Sequence, residues 1–148
     1  MIPLYKNIAL AVIFLSALPA CSQQGRQTFT TIADAREHPA QFIDTGKPGD
    51  SVGDILVFDQ PLLDETKKTI GNNSGYCIRT RIAHSFQCQW TLTIGNESIQ
   101  VAGREFEKGS SDISIVGGTG KYAGIYGEMT SSNNNDGTFT QVLRYRIR

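Results

Sequence analysis

The sequence has no excess of charge of either sign, because 14 Lys and Arg residues balance 14 Asp and Glu residues. It also lacks a long basic block, so we expect no nucleic-acid partner. There are only two histidines, His38 and His84, and neither has the neighbouring carboxylate or cysteine spacing typical of a zinc site. The sequence therefore predicts no metal site.

Long hydrophobic runs are also missing. The longest, residues 8–18, is too short to span a bilayer comfortably and follows Lys6, which predicts a secretory signal over residues 1–20. The run ends in LPAC, which resembles the bacterial lipobox, and so Cys21 is the predicted lipidation site. An ordinary signal peptide cut near Ala20 is the alternative. We expect export to the bacterial cell envelope and a membrane anchor through this lipid, with Ser22 favouring the outer membrane.

The chain has only three cysteines. If Cys21 carries lipid, Cys77 and Cys88 remain as a pair in an exported protein. They lie in GYCIRTRIAHSFQCQWTLTI, where a hairpin centred between Ile82 and Ala83 would place them opposite each other and permit a disulfide. A register slip of one residue would remove this geometry. A free Cys77 thiol in a cavity is the alternative.

No segment has a strong helical pattern, whereas strand patterns recur along the chain. Residues 28–32 are a predicted first strand and residues 33–42 a helical turn or loop. Seven more predicted strands are 54–58, 76–82, 86–94, 98–106, 113–116, 124–131 and 139–147. The predicted organisation is a signal over 1–20, a tether and first strand over 21–51, and the remainder of one β-domain over 52–148. Eight antiparallel strands close most simply into a barrel able to hold one small ligand, with a two-sheet sandwich as the alternative.

The glycine-rich stretch VGGTGKYAGIYG, residues 116–127, superficially resembles a phosphate-binding loop. However, Tyr122 follows Lys121 where a Walker loop needs Ser or Thr. A dinucleotide-binding loop would have to open a helix, and Gly124 and Gly127 disfavour one. The stretch is therefore predicted to be a turn between two strands, with Tyr122 packing over a barrel end and Lys121 in solvent.

Four elements occur in the order that is typical of one superfamily. They are Gly53-Asp54 followed by Phe58 and Leu62, then Gly71, Gly75 and Cys77, then Val101 and Gly103, and finally GGTGKYAGIYG. In these the chain resembles the allene oxide cyclase and dirigent proteins, and its paired cysteines and lipobox-like LPAC look most like those of bacterial members. The resemblance implies an eight-stranded antiparallel β-barrel that handles small, largely apolar, reactive molecules by shape and orientation without a cofactor. It also implies that a homo-oligomer can form.

The same resemblance carries over to single residues. Cys77 matches the pocket cysteine of the cyclases, and Gln60 falls where they have a pocket Asn that helps to hold a water. In contrast, the first predicted strand, TFTTIADA, lacks the cyclases' Glu-x-Asn pattern, and Arg104-Glu105 replaces their Pro-Tyr. The cyclase reaction itself is therefore not expected.

The two-residue period of a strand predicts further interior side chains. If Gln60 and Cys77 face inward, then Asp54, Arg79 and Phe58 do too; Glu105 shares a face with Val101, and Tyr126 shares one with Glu128. The predicted catalytic residues are therefore Asp54, Gln60, Arg79, Glu105, Tyr126 and Glu128, which could supply a general acid or bind a carboxylate. The alternative is that these charges pair at the barrel mouth or face solvent.

Three functions fit this sequence. The first is a cofactor-independent isomerase or cyclase, or a dirigent-like protein, acting on a small hydrophobic molecule. The second is a non-catalytic binding protein of the lipocalin kind. The third is a structural envelope lipoprotein whose interior is filled by side chains. A cavity of roughly 300 Å³ or more would favour the first two, and a buried ionisable group in its wall would favour the first.

Overall fold

The computed structural model of the protein describes residues 25–148. The predicted signal and Cys21 lie outside the described residues. The described chain consists of nine β-strands and one short 3-10 helix, Gly120–Tyr122, with no α-helix among these residues. The strands are β1 (Gln27–Asp34), β2 (Gln41–Ile43), β3 (Ile55–Leu63), β4 (Thr69–Arg81), β5 (Ser85–Ile94), β6 (Glu97–Phe106), β7 (Ser110–Gly118), β8 (Ile125–Asn133) and β9 (Thr138–Ile147). Within residues 25–148, none of the helical structure has the length and hydrophobicity needed to cross a membrane.

Eight of these strands close into an antiparallel barrel. From β3 to β9 each strand pairs with the next one in the sequence, and β9 pairs with β1. The barrel closes where β1 pairs with the end of β3, with Ile32 opposite Leu63 and Ala33 opposite Leu62. Closure confirms the predicted eight-stranded barrel over the sandwich and removes the exposed edges of an open sheet.

Each of the eight predicted strands is present, although several are longer than predicted. The prediction of a helical turn or loop over residues 33–42 was wrong at both ends. Ala33 and Asp34 continue β1 because they pair with β9, at Phe139 and Thr138. After a bend, β2 pairs with the beginning of β3. Strands distant in sequence thus form the backbone hydrogen bonds of residues that the local sequence pattern assigned to a turn.

The hydrophobic core fills one half of the barrel. Leu62, Leu92, Ile99, Met129 and Leu143 are each fully buried there. They lie on β3, β5, β6, β8 and β9, at the level below the cavity described in the next section. This end is closed, and the interior at the other end is left open.

The glycine-rich stretch, residues 116–127, forms a turn that covers the closed end of the barrel, as predicted. Tyr122 is buried and contacts Tyr145 edge to face, with ring centroids 6.3 Å apart. Gly120 and Gly124 have φ angles of 60° and 76°, which side chains rarely adopt. Lys121 is exposed and its Nζ lies 2.7 Å from a Glu97 carboxylate oxygen. The loop is thus a turn between β7 and β8, with its lysine in a surface ion pair.

The predicted disulfide is present. Cys77 and Cys88 lie directly opposite each other on β4 and β5, in the register expected for a hairpin centred between Ile82 and Ala83. Both residues are buried, and Cys77 also lines the interior cavity. The disulfide therefore forms part of the wall of the site.

Removing this disulfide should destabilise the protein. We expect the double variant Cys77→Ala/Cys88→Ala to lose about 2 to 3 kcal/mol of unfolding free energy, because the bond closes a short loop and restricts the unfolded chain. Urea unfolding of the oxidised wild type and the variant measures the loss. Reductant should destabilise the wild type and leave the variant unchanged. A variant as stable as the oxidised protein would contradict the expectation.

Candidate functional site

A cavity of about 750 Å³ occupies the open half of the barrel. Its wall is mostly apolar and includes five aromatic side chains, those of Phe58, Phe86, Trp90, Phe106 and Phe139. Phe58 and Trp90 pack edge to face with centroids 6.2 Å apart. The volume is within the usual range for small-molecule sites, and flat apolar ligands fit such a wall.

Glu105 is the ionisable group in the wall whose surroundings are most unusual. It lies near the end of β6, where the Ser131 hydroxyl of β8 donates a 2.8 Å hydrogen bond to its Oε1. Its Oε2 lies 3.6 Å from the Cys88 sulfur, which has no hydrogen to donate because it is in the disulfide. Burial raises the pKa of the Glu105 carboxyl, and the Ser131 hydrogen bond offsets only part of this effect. A protonated Glu105 can therefore persist closer to neutral pH than an ordinary glutamic acid.

The raised pKa predicts a pH-dependent difference between the wild type and Glu105→Gln. The folded-state pKa lies above that of the unfolded chain, so the favourable contribution of Glu105 is present below the unfolded-chain pKa and is lost as the pH rises through the folded pKa. The unfolding free energy of Glu105→Gln relative to that of the wild type should therefore rise as the pH is raised from about 4, where glutamic acid titrates in the unfolded chain, towards neutral pH. Urea unfolding across this range provides the test, and parallel profiles would contradict it.

A chain of buried polar side chains crosses the barrel at the floor of the cavity. The Thr31 hydroxyl donates to Gln141 Oε1 at 3.1 Å, and Gln141 Nε2 donates to Asn73 Oδ1 at 3.2 Å. All three residues are at least 97% buried. Gln60 lies directly opposite Asn73 and lines the same floor. Gln60 was among the predicted site residues, whereas Thr31, Asn73, Gln141 and Ser131 were not. Alternation could have indicated which face Thr31, Ser131 and Gln141 occupy, but Asn73 lies outside the predicted strand 76–82.

Arg79 stands behind the cavity mouth. Its guanidinium pairs with Glu107 and lies 3.4 Å from an Asp50 carboxylate oxygen. The same group stacks over Phe86 at 4.3 Å. Arg79 thus contacts two residues of the cavity lining. Its charge is balanced by the carboxylates of Glu107 and Asp50, which agrees with the alternative prediction that the charged residues pair with one another at the barrel mouth.

Asp54 is fully buried but lies outside the cavity lining. Its carboxylate accepts hydrogen bonds from the Ser51 backbone N–H at 2.6 Å, the Ser51 hydroxyl at 2.8 Å and the Thr45 N–H at 3.2 Å. These hydrogen bonds, led by that from the Ser51 backbone, hold the pKa of Asp54 below its usual range. The Asp54 carboxylate thus stabilises, through these hydrogen bonds, the loop that precedes β3.

Tyr126 and Glu128 share one face of β8, as predicted, but that face points outward. Glu128 forms a 2.5 Å ion pair with Arg26, and the Arg148 guanidinium lies 4.8 Å from the centre of the Tyr126 ring. Both line a separate, shallow surface hollow of about 360 Å³. Of the six predicted catalytic residues, therefore, only Gln60 and Glu105 line the cavity, and Arg79 is next to it.

Cys77, Cys88 and Glu105 bring three atoms of metal-ligand type within 4.8 Å of one another. The two sulfurs are bonded to each other, and a disulfide sulfur is not the thiolate that a metal site requires. This cluster is consequently a feature of the cavity wall.

Solved structures of similar fold come from enzymes and dirigent proteins. A pyocyanin demethylase matches with a TM-score of 0.70 and 25% identity over 80% of this chain and 99% of its own. A pterocarpan synthase dirigent protein matches with a TM-score of 0.64 and 15% identity over 85% and 98%. A Diels–Alderase from Streptomyces koyangensis has a TM-score of 0.64 and 15% identity over 87% and 71%.

Comparison with curated protein sequences gives no match. In contrast, the family model described as dirigent-like protein matches residues 20–148, which include the whole barrel. The match covers most of the chain and agrees with the architecture and with the motifs of β3, β4, β6 and the β7–β8 turn. The chain therefore belongs to the dirigent-like protein family.

Proposed function

We propose that the barrel binds a small, largely apolar organic molecule in its open half and steers a reaction of that molecule, with Glu105 as the proton donor or acceptor. The observation that carries this proposal is a half-buried carboxyl with a raised pKa in the wall of a mostly apolar cavity of about 750 Å³. Perturbed carboxyls in clefts are typical of acid–base sites. The names of the similar proteins, which include a demethylase and a Diels–Alderase, support a small organic substrate.

The contribution of the protein to such a reaction follows from its geometry. The shaped apolar wall restricts the orientations of a bound ligand, which lowers the entropic part of a barrier. Glu105 can donate its proton to an oxygen or nitrogen of the ligand, or take one back as a carboxylate, and Ser131 holds one carboxyl oxygen in place. No cofactor is part of the proposal.

Binding can be tested through the only tryptophan in the sequence, Trp90, whose side chain lines the cavity. Small molecules that co-purify with the exported protein are identified by native mass spectrometry and then titrated into the ¹⁵N-labelled, ligand-free protein. Saturable shifts of the single indole N–H resonance are expected, and pyocyanin belongs in the panel because of the similar demethylase. A panel of planar organic molecules that leaves this resonance unmoved would overturn the proposal.

Non-catalytic binding is the second candidate, and it is favoured by the apolar character of the cavity wall. Conversion of a bound ligand by wild-type protein, lost in Glu105→Gln, separates the two. The filled barrel expected of a purely structural protein does not agree with the cavity.

Export, a lipid on Cys21 and a place at the bacterial outer membrane remain part of the proposal on the sequence pattern alone. Mass spectrometry of the mature N-terminus in native envelope material should find acylated Cys21. An unmodified N-terminus at or beyond this residue would refute the anchor. A homo-oligomer also stays a prediction, which sedimentation of the mature protein can decide.

A further inference from the structure

The polar chain at the cavity floor has one direction along its whole length. Thr31 donates to the carbonyl oxygen of Gln141, and Gln141 donates through Nε2 to the carbonyl oxygen of Asn73. Because both amide oxygens are used as acceptors within the chain, it ends in a donor. That donor is Asn73 Nδ2, which has no hydrogen-bond partner among the described residues, on a side chain that lines the cavity.

This donor opens onto the cavity. Asn73 as a residue is 97% buried, but the fully enclosed side-chain atoms without a partner among the described residues are Arg79 Nε and Trp90 Nε1, so Asn73 Nδ2 is accessible to a ligand acceptor in the cavity. Hydrogen bonds in a chain polarise one another, so donation by Thr31 and Gln141 strengthens the donor at the end. The two supporting residues come from β1 and β9, across the barrel from β4, so they fix the orientation of the Asn73 amide.

The charges of the site limit which ligand groups can accept a hydrogen bond from Asn73 Nδ2. The acidic residues of the cavity lining are Glu105 and Glu107, and the second is neutralised by Arg79 outside the lining. Among residues 25–148, no lysine or arginine lines the cavity, so an anionic group would meet no cation from these residues in the interior. An uncharged acceptor between aromatic side chains satisfies the donor without that cost.

We propose, as a deepening of the proposed function and resting on it, that Asn73 is the ligand-contacting donor of the site and selects uncharged, flat, aromatic molecules with a carbonyl oxygen at their leading end. That oxygen accepts a hydrogen bond from Asn73 Nδ2 at the floor, beside Gln60. Thr31 and Gln141 act as positioning residues that hold and polarise the Asn73 amide. The remainder of the ligand lies against the aromatic wall, within reach of Glu105.

The test uses two probes of the same shape, α-tetralone and tetralin, which differ by one carbonyl oxygen. Dissociation constants of both are measured from the Trp90 indole N–H resonance. The ratio of tetralone to tetralin dissociation constants removes general effects on packing and on hydrophobic burial. In Asn73→Leu this ratio should rise about fivefold to tenfold, because tetralone loses one hydrogen bond between uncharged groups and tetralin loses none. The carbonyl stretch of bound tetralone should also shift to lower frequency in the wild type and move back in the variant.

Thr31→Val provides a milder variant if Asn73→Leu does not fold. It keeps the shape of the side chain and removes only the first donor of the chain, so the ratio should rise about twofold to threefold. Thr30→Val is the matched control, because Thr30 lies on the other face of β1, and its ratio should stay at the wild-type value. If both probes still bind to Asn73→Leu and the ratio of their dissociation constants is unchanged, the role of Asn73 is overturned and the proposed function is not affected. If Asn73→Leu does not fold, the same result in Thr31→Val leads to the same conclusion. Failure of both probes to move the indole resonance of the wild type would overturn the role of Asn73, and failure of the whole panel of planar molecules would overturn the proposed function as well.

Discussion

Glu105→Gln is expected to lower the kcat for any ligand that the barrel converts by about a hundredfold or more, while the dissociation constant of that ligand changes little. Glutamine has nearly the same shape and can still accept the Ser131 hydrogen bond. It cannot donate or take a proton at ordinary pH, and positioned general acids and bases contribute typically about 10² to 10⁴ in rate. Single-turnover kinetics with the ligand identified by native mass spectrometry measures the effect.

Glu65→Gln is the matched control for this experiment, since Glu65 lies exposed in the turn between β3 and β4 and undergoes the same change of side chain. It should retain wild-type kcat and affinity. Ser131→Ala should show a smaller loss than Glu105→Gln, with the pH optimum displaced, because the hydrogen bond that lowers the Glu105 pKa is gone. Full turnover in Glu105→Gln would remove Glu105 from the reaction and favour the non-catalytic binding protein.

Gly75→Ala is expected to be among the most destabilising substitutions in the barrel, with a loss of about 3 kcal/mol in unfolding free energy. A Cβ at this position would lie 2.3 Å from the Trp90 Cβ and 2.4 Å from the Gln89 carbonyl oxygen. These atoms belong to the paired strand β5 and cannot move without breaking the ladder. The absence of a side chain at Gly75 thus allows Trp90 to lie in the cavity wall.

Gly117→Ala is the control, because a Cβ there would have no atom within 4 Å and its φ is not in the left-handed region. This variant should stay within about 0.5 kcal/mol of the wild type. Urea unfolding of both variants gives the comparison, and near-ultraviolet circular dichroism reports the packing of Trp90. A Gly75→Ala protein of wild-type stability would show that β4 and β5 separate more easily than the structure indicates.

Local patterns were sufficient for much of the fold. The two-residue alternation of apolar residues and the turn residues between them predicted the eight strands. The spacing of Cys77 and Cys88 about a hairpin centre predicted their pairing, because the register of adjacent strands depends only on the turn between them. The family resemblance carried by the glycine motifs implied the barrel, and glycines such as Gly71 and Gly75 lie at close approaches that a side chain would obstruct.

The tertiary structure decided which face of each strand points into the barrel and how far along the barrel each residue lies. The sequence placed Tyr126 and Glu128 on one face correctly, but alternation fixes only which residues share a face, and the β8–β9 and β7–β8 pairings turned that face outward. Asp54 has the parity of an interior residue, yet it precedes β3 and its carboxylate is enclosed by its own loop.

By itself, then, the sequence determined the strands, the disulfide and Glu105, because each depends on alternation or on a short hairpin. It also determined Gln60 as a residue of the cavity, through the match to the pocket Asn of the cyclases. Only barrel closure decided the rest of the site. Asn73 meets Gln141, 68 positions away, and Thr31 meets Gln141, 110 positions away. In sequence these residues are ordinary polar positions in separate strands, and the curvature that brings β1, β4 and β9 around one cavity is a property of the closed sheet as a whole.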